Sequence, residues 1–278
     1  MEVIRAKHAG VCYGVERALD MANAAMLDDE DTYTLGPLIH NPKVVEELDA
    51  NGVHVAASPD DVQEGIVIIR SHGVEPDVLA TLRERGLTVI DATCPHVAHI
   101  HQLVEQYSGN GDAVVIVGEA DHPEVIGIAG WAHGKVFILP DAQAAEEAEL
   151  PKKALVVAQT TIRRDRFDSV LQVLRRRVPD LTQRITICAA TSQRQQEAEK
   201  LSGEADVMVV VGGKNSSNTQ KLLETCRLRC KRSILVETPE DVPQNLAKAD
   251  DRVALTAGAS TPQWLLEQVR ARIEENAK

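Results

Sequence analysis

Three isolated cysteines stand at related positions in this chain of 278 residues, and a helical pattern follows each of them. Cys12 and Cys94 are 82 residues apart, and Cys94 and Cys188 are 94 apart. Three thiolates that meet at one point would bind a metal, either zinc or iron. A structural zinc site takes four ligands, often in close cysteine pairs, and no fourth ligand follows this spacing. The pattern favours an iron–sulfur cluster with three cysteine ligands and one open iron, although buried apolar thiols are the plainer alternative.

Polar turns repeat with the same spacing as the cysteines. Each turn combines a glycine that ends an apolar run with a polar residue four positions later: Gly36 with His40, Gly118 with His122, and Gly212 with Ser216. A second set of turns follows the apolar runs IVII, LVVA and VALTA, and it contains His72, Thr160 with Thr161, and Ser260. A helical pattern follows every one of these turns. In parallel sheets such turns lie at the carboxyl ends of strands, where ligands bind.

The repeat predicts three small α/β domains with pseudo-threefold symmetry. Apolar runs that alternate with helical patterns indicate mainly parallel sheets with helices on their faces. We expect the domains to span residues 1–93, which includes the helix after Cys12, then 94–187 and 188–278. In this arrangement the turns and cysteines would face a common axis. The alternative is a duplicated fold whose turns face outward.

The turns offer donors that suit a phosphate or a diphosphate. Helix N-termini add backbone N–H groups and the positive end of a helix dipole. Glu124 is the one acidic residue in these turns that we expect inside, where a protonated carboxyl could deliver protons; it could also simply favour a helix N-terminus. The seven donor residues are His40, His72, His122, Ser216, Ser217, Asn218 and Ser260.

Composition excludes several classes of partner. The formal net charge of −12 argues against an extended nucleic-acid surface, and 3% aromatic residues argue against base stacking. No apolar run approaches the roughly 20 residues of a membrane helix. The start MEVIRAKHAGVCYGV lacks the apolar region of a secretory signal. We expect a cytoplasmic protein without nucleic-acid or membrane partners, and a transit peptide removed earlier stays open.

The order of the motifs resembles one family. Along the chain stand GVCYGVERAL, GPLIHNP, RSHGV, DATCP, HPEV, AQTT, CAATSQRQ, GGKNSSNT and TAGAS. Over essentially its whole length the chain is similar to the 4-hydroxy-3-methylbut-2-enyl diphosphate reductases, the IspH/LytB family. These enzymes act last in the methylerythritol phosphate route to isoprenoids. The set of motifs is specific, although no single motif would be.

The resemblance implies a trefoil of three α/β domains around a [4Fe–4S] cluster. Cys12, Cys94 and Cys188 would be its ligands, and the fourth iron would bind the substrate hydroxyl. The seven donor residues would hold the diphosphate, Glu124 would supply protons, and Thr160 would help to orient the hydroxyl. Two electrons, from ferredoxin or flavodoxin, and two protons would remove the hydroxyl as water. The products would be isopentenyl diphosphate and dimethylallyl diphosphate.

Two rival functions follow from the residues alone. A hydro-lyase would also remove hydroxide at an open iron, but it would consume no external reductant. A non-catalytic metal-binding or ribosome-associated module would show no turnover, and the net charge of −12 disfavours the ribosomal version.

Some positions lie outside the expected pattern. Gln193 stands where an asparagine is frequent in the family. Cys226 and Cys230 are not part of the repeat, and we expect a structural role for them rather than a second metal or redox site. The histidines of HVAHIHQ resemble a metal patch, but a solvated helix face is the simpler interpretation.

Overall fold

The computed structural model describes residues 1–27 and 30–276. Two short 3₁₀ turns, Pro59–Asp61 and Pro239–Asp241, follow strands. The strands are β1 (Glu2–Arg5), β2 (Thr32–Leu35), β3 (Val53–Ala56), β4 (Ile66–Ile69), β5 (Thr88–Asp91), β6 (Ala113–Val117), β7 (Val136–Leu139), β8 (Lys153–Ala158), β9 (Asp180–Gln183), β10 (Val207–Val211), β11 (Ser233–Val236) and β12 (Arg252–Ala257). The helices are α1 (Tyr13–Ala25), α2 (Pro42–Ala50), α3 (Pro76–Glu84), α4 (Pro95–Gly109), α5 (Pro123–Gly130), α6 (Ala142–Glu147), α7 (Arg164–Arg177), α8 (Ala189–Ser202), α9 (Ser217–Arg227) and α10 (Gln263–Glu275).

The strands form three parallel sheets of four strands with the same connectivity. The orders are β3-β2-β4-β5, β7-β6-β8-β9 and β11-β10-β12-β1. In each sheet the first and third strands of the repeat pair at the centre, for example β6 with β8. The predicted α/β class with mainly parallel sheets is confirmed.

The amino-terminal strand belongs to the last sheet. β1 pairs with β12 in parallel, with Glu2 opposite Arg252 and Arg5 opposite Leu255. It therefore takes the edge position that β5 and β9 take in the other two sheets. The domain boundaries 1–93, 94–187 and 188–278 stay a prediction. β1 lies in the predicted segment 1–93, but it pairs with β12 in the predicted segment 188–278.

The described chain divides into two compact units. Unit 1 contains Met1–Val15, His40–Val44 and the chain from Ala189 onward, and it holds the β11-β10-β12-β1 sheet. Unit 2 contains Glu16–Ile39 and Val45–Cys188, and it holds the other two sheets. Within the described residues, no helix is both long enough and apolar enough to cross a membrane.

The cores are aliphatic, as the scarcity of aromatic residues predicts. The central strands β6 (AVVIV) and β10 (VMVVV) are buried at every position. Continuous runs of β-branched residues are typical of parallel strands that are covered by helices on both faces. Because the backbone of these strands is fixed by the sheets and their side chains by packing, the turns at their ends are held in place.

Cys226 and Cys230 pack in the core of unit 1. Both are buried in a cluster that includes Met208, Val210 and Leu222. Burial, together with the nearby Cys230 thiol, raises the pKa of Cys226 to about 12. A thiol that stays protonated is a poor metal ligand and a poor nucleophile. The geometry supports the structural role that we expect for this pair.

The histidines of α4 do not form a metal patch. His96 and His99 are exposed, whereas His101 is buried and stacks on Trp131 with ring centroids 5.2 Å apart. Burial lowers the pKa of His101 to about 4, against an opposing effect of the Asp91 carboxylate. The expectation of a solvated face therefore holds for two of the three, and His101 is a neutral packing residue near neutral pH.

His101 makes stability depend on pH. The unfolded chain binds a proton to this histidine below about pH 6.5, while the folded protein does so only near pH 4, so stability falls as the pH drops through this window. The loss should reach about 3 kcal/mol at most. Urea titrations of the metal-free protein from pH 8 to pH 4 (about half a unit apart) would measure it. His101→Gln should flatten this dependence and the exposed His99→Gln should not; equal slopes in both variants would contradict the assignment.

Candidate functional site

Each of the three repeat cysteines forms a backbone hydrogen bond of the same kind. The N–H of Cys94 donates to the carbonyl of Ser71 at 3.0 Å, and that of Cys188 donates to Thr160 at 3.0 Å. The N–H of Cys12 donates to the carbonyl of Ala259 at 3.1 Å. Each acceptor lies two residues beyond the end of a central strand, respectively β4, β8 and β12. The sheets therefore fix the backbone of each cysteine in the same way.

The cysteines suit metal ligation. Cys12, Cys94 and Cys188 are only partly buried, and all five cysteines of the chain remain thiols. Each of the three stands directly before a helix, at the start of α1, α4 and α8. The positive end of a helix dipole favours a negatively charged thiolate there. In this they differ from Cys226 and Cys230, which are buried in the core.

In unit 1 the segment at His40 lies against the turn after β12. The hydroxyl of Ser260 donates to the carbonyl of His40 at 3.2 Å, and Asn41 Nδ2 donates to the carbonyl of Ser260 at 3.0 Å. A Cβ on Gly213 would lie 2.5 Å from the same His40 carbonyl oxygen. Only glycine therefore permits this approach, which joins the turns that carry His40, Ser216 and Ser260.

Helix α9 starts in this group of turns. Ser216 caps the helix by accepting a hydrogen bond from the N–H of Thr219 at 3.3 Å. The side-chain nitrogen of Asn218 is buried and forms no hydrogen bond to a described residue. A buried amide nitrogen without an acceptor is costly, so an anionic ligand at this helix N-terminus would satisfy it.

Lys221 also belongs to this group, although the repeat in the sequence does not point to it. Its ammonium group donates to Ser217 Oγ at 2.6 Å, although the residue is only 2% exposed. An ammonium group cannot accept, so Ser217 Oγ must be the acceptor of this bond. The spacing of four residues between Ser217 and Lys221 on one helix was the available signal.

In unit 2, His72 and His122 lie side by side. Their ring centroids are 5.5 Å apart and the rings are nearly perpendicular, at 71°. His122 caps α5, with Nδ1 accepting the N–H of Glu124 at 3.1 Å. In the neutral ring this bond places the proton on Nε2, which becomes a donor. His122 thus fixes the start of α5 through Nδ1.

Glu124 is held by Thr160. The carboxyl group is buried, with Oε1 accepting the N–H of Thr160 at 2.5 Å and Oε2 lying 2.7 Å from its hydroxyl. The hydroxyl can donate to a carboxylate or accept from a carboxylic acid, so the second contact survives either protonation state. The carbonyl of Thr160 meanwhile accepts the N–H of Cys188. One residue thus links the candidate proton donor to a candidate metal ligand.

The predicted residues divide between the two units. Unit 1 holds Cys12, His40, Ser216, Ser217, Asn218 and Ser260, and unit 2 holds His72, Cys94, His122, Glu124, Thr160 and Cys188. Within each unit the structure brings polar turns together as the repeat indicates. The roles of these residues stay predictions.

Comparison with known proteins points to one family. A family model described as "LytB protein" matches residues 3–274. A protein of Caldanaerobacter subterraneus subsp. tengcongensis, called 4-hydroxy-3-methylbut-2-enyl diphosphate reductase, is 40% identical over an aligned length of 280 residues, and the alignment covers 99% of this chain and 97% of that protein. A protein of the same name from Geobacter sulfurreducens is 42% identical over 275 residues, which are 99% of this chain and 98% of that protein.

Solved structures agree with the sequence relatives. The structure of an E-1-hydroxy-2-methyl-but-2-enyl-4-diphosphate reductase from Plasmodium falciparum is 28% identical, with a TM-score of 0.93 over 97% of this chain and 87% of that one. A second structure is described as (E)-4-hydroxy-3-methyl-but-2-enyl diphosphate reductase, the terminal enzyme of the non-mevalonate pathway. It is 40% identical, with a TM-score of 0.73 over 99% of this chain and all of that one.

The contact between Glu124 and Thr160 can be tested without substrate. Thr160→Val keeps the side-chain shape but removes the hydroxyl, which leaves one buried carboxyl oxygen with fewer partners. We expect a loss of about 1–2 kcal/mol in the free energy of unfolding. Urea unfolding of the metal-free protein measures it. Thr81→Val is the matched control, because the hydroxyl of Thr81 donates to the backbone carbonyl of Asp77 on an exposed helix surface. A loss of the same size in both variants would argue against a special contact between Glu124 and Thr160.

Proposed function

The chain belongs to the LytB protein family, and on that premise we propose that it is a 4-hydroxy-3-methylbut-2-enyl diphosphate reductase. It would remove the allylic hydroxyl with two electrons and two protons, and it would release water, isopentenyl diphosphate and dimethylallyl diphosphate. The observation that carries this proposal is the buried pair of Glu124 and Thr160, joined through Thr160 to Cys188. This pair connects a proton carrier to the proposed redox centre.

We propose that Cys12, Cys94 and Cys188 hold a [4Fe–4S] cluster. The donor set fits, because thiolates are the usual ligands of such clusters and these three are partly accessible at helix starts. When bound, a cluster with three cysteine ligands supplies electrons and one Lewis-acidic iron with an open position. The shared backbone hydrogen bond keeps each cysteine fixed to a sheet.

The diphosphate would bind to neutral donors and helix N-termini. Asn218 Nδ2 has no acceptor among the described residues, and Ser216 and Asn218 stand at the start of α9. His122 at the start of α5 and Ser260 in the turn after β12 add polar side chains from other turns. Such donors match the oxygen-rich surface of a diphosphate. His40, His72 and Ser217 complete the proposed set.

Glu124 would hold and deliver the proton that leaves with the hydroxyl. Its carboxyl is buried, so water competes little for that proton. The N–H of Thr160 donates to Oε1 of Glu124, and the hydroxyl of Thr160 lies beside Oε2. The Thr160 hydroxyl can then bridge the carboxyl group and the substrate oxygen with one hydrogen bond to each. Thr160 acts as an orienting residue in this proposal.

The proposed reaction needs an external source of electrons. A reduced ferredoxin or flavodoxin is the class of partner that we propose. A reducing compartment such as the cytoplasm would suit both the electron supply and a cluster held by thiolates.

The first test is anaerobic turnover. The purified protein, a low-potential reductant and the hydroxylated allylic diphosphate should yield both products, with the cluster followed by EPR. Glu124→Gln should lower kcat by about 10²–10⁴ with unchanged iron content, because it removes the proton and not a ligand. Cys12→Ser should lose iron as well as activity. A wild-type protein that binds iron but turns over without consuming reductant would move the function to a hydro-lyase.

Asn218 tests the diphosphate subsite separately. Asn218→Ala should raise KM by about 10–100-fold, the cost of one hydrogen bond to a charged group, while iron content stays unchanged. Asn51→Ala is the control, since Asn51 bonds the carbonyl of Glu47 at an exposed helix end. An unchanged KM in Asn218→Ala would remove this residue from the proposed site.

A further inference from the structure

The segment that leads to Cys12 is bonded to two side chains of α8. Glu197 accepts the backbone N–H of Lys7 at 2.7 Å with one carboxylate oxygen, and that of His8 at 2.8 Å with the other. Arg194 donates from Nε to the carbonyl of His8 at 3.0 Å and from Nη2 to that of Gly10 at 2.9 Å. Two residues one helical turn apart therefore satisfy four backbone groups of this segment.

Burial and a further hydrogen bond hold the Arg194 side chain in place. It is only 4% exposed, and Nη1 also donates to the carbonyl of Ala190 at 3.2 Å. Ala190 lies in the first turn of α8, which starts one residue after Cys188. The planar guanidinium thus ties the start of this helix to the Cys12 segment with geometry that an ammonium group could not reproduce.

Arg194 and Glu197 together form a clamp on this segment. The segment depends on the clamp because it has little regular structure of its own. It leaves β1 at Ala6, whose N–H bonds the carbonyl of Leu255 at 2.7 Å, and it returns to the sheet only at Cys12. Between these points Gly10 has a φ of 108°, a conformation that favours glycine. Without Arg194, the buried carbonyl of Gly10 and the partly buried carbonyl of His8 would lose this protein partner, and without Glu197 the exposed N–H groups of Lys7 and His8 would lose theirs.

A related contact leads to the second cysteine. Arg17 on α1, the helix after Cys12, donates to the carbonyls of Thr93 at 3.2 Å and Asp91 at 3.4 Å, just ahead of Cys94. A third contact joins Tyr107 on α4, the helix after Cys94, to Arg184 ahead of Cys188. Arg184 donates to the Tyr107 hydroxyl at 2.7 Å, and its guanidinium lies 5.6 Å from the ring centroid.

We propose that Arg194 and Glu197 are positioning residues for the ligand Cys12. In each of the three contacts described above, the helix after one cysteine holds the segment that precedes the next cysteine in the cycle. The contact made by Arg194 and Glu197 is the strongest of the three. The proposal rests on the proposed cluster. In it, the clamp presets the Cys12 thiolate before the cluster is inserted and keeps that ligand in place afterwards. Neither residue needs to touch the cluster or the substrate.

The consequence is a change in cluster retention rather than in substrate binding. Groups that orient metal ligands typically change metal affinity by about 10–100-fold when they are removed. Arg194→Met keeps the apolar stem but removes every donor. Glu197→Gln keeps the size but replaces one of the two acceptor oxygens. Arg194→Lys keeps the charge without the planar fork and should restore only part of the loss.

The experiment compares these three variants with Glu199→Gln, purified without air and loaded with iron and sulfide. Glu199 lies on the same helix and pairs with Arg229 on an exposed surface at 2.7 Å, so it controls for a general weakening of α8. We would measure iron per chain, the rate of iron loss to an excess of chelator, the EPR spectrum after reduction, and deuterium exchange of residues 7–12. All samples are kept well below their melting temperatures.

We expect iron loss to be about tenfold faster in Arg194→Met, with faster exchange in residues 7–12 and an altered EPR spectrum. Glu197→Gln should change in the same direction, and Glu199→Gln should match the wild type. If Arg194→Met does not fold, Glu197→Gln decides the outcome alone. Wild-type rates and spectra in the folded variants would overturn the proposal while the cluster stands. A wild-type protein that takes up no cluster would overturn the proposed function, and this proposal with it.

Discussion

The structure depends on one hydrogen bond that occurs three times, from the backbone of a cysteine to the carbonyl two residues beyond a central strand. β4, β8 and β12 are central in their sheets and buried, so their ends move little. Each bond transfers this rigidity to a thiol at the start of a helix. A sulfur ligand needs such a fixed backbone, because a loop that moves by an ångström would not preset a metal site. Side chains near the cysteines then act on a defined backbone.

Two residues show how a single turn serves several purposes. Thr160 bonds Glu124 with its N–H and hydroxyl, and it bonds Cys188 with its carbonyl. His122 caps α5 with its ring Nδ1, and its backbone N–H donates to the carbonyl of Glu119. In both turns one residue forms hydrogen bonds to more than one other residue. This economy follows from the small size of the repeat, whose short turns must both end a strand and start a helix.

The proposed anion site and the proposed clamp rely on the same physical rule, that buried polar groups must be satisfied. In the Cys12 segment the protein itself supplies partners for the carbonyls of His8 and Gly10, through Arg194. At α9 the protein leaves Asn218 Nδ2 without a described partner, as expected for a group that meets a ligand.

The sequence alone determined the repeat, in which three cysteines take equivalent positions, the parallel α/β class and the family. Apolar runs, glycines and cysteines recur with a common spacing, and such local patterns depend on backbone geometry that neighbouring residues share. The fold decided the rest. β1 joins β12 because the last sheet lacks an edge strand, and neighbouring residues carry no signal for a partner about 250 positions away. Lys221, Arg194 and Glu197 became visible only through their contacts, since charged residues on a helix usually face solvent. The burial of His101 likewise arises from its stacking on Trp131, a contact that a run of three nearby histidines does not reveal.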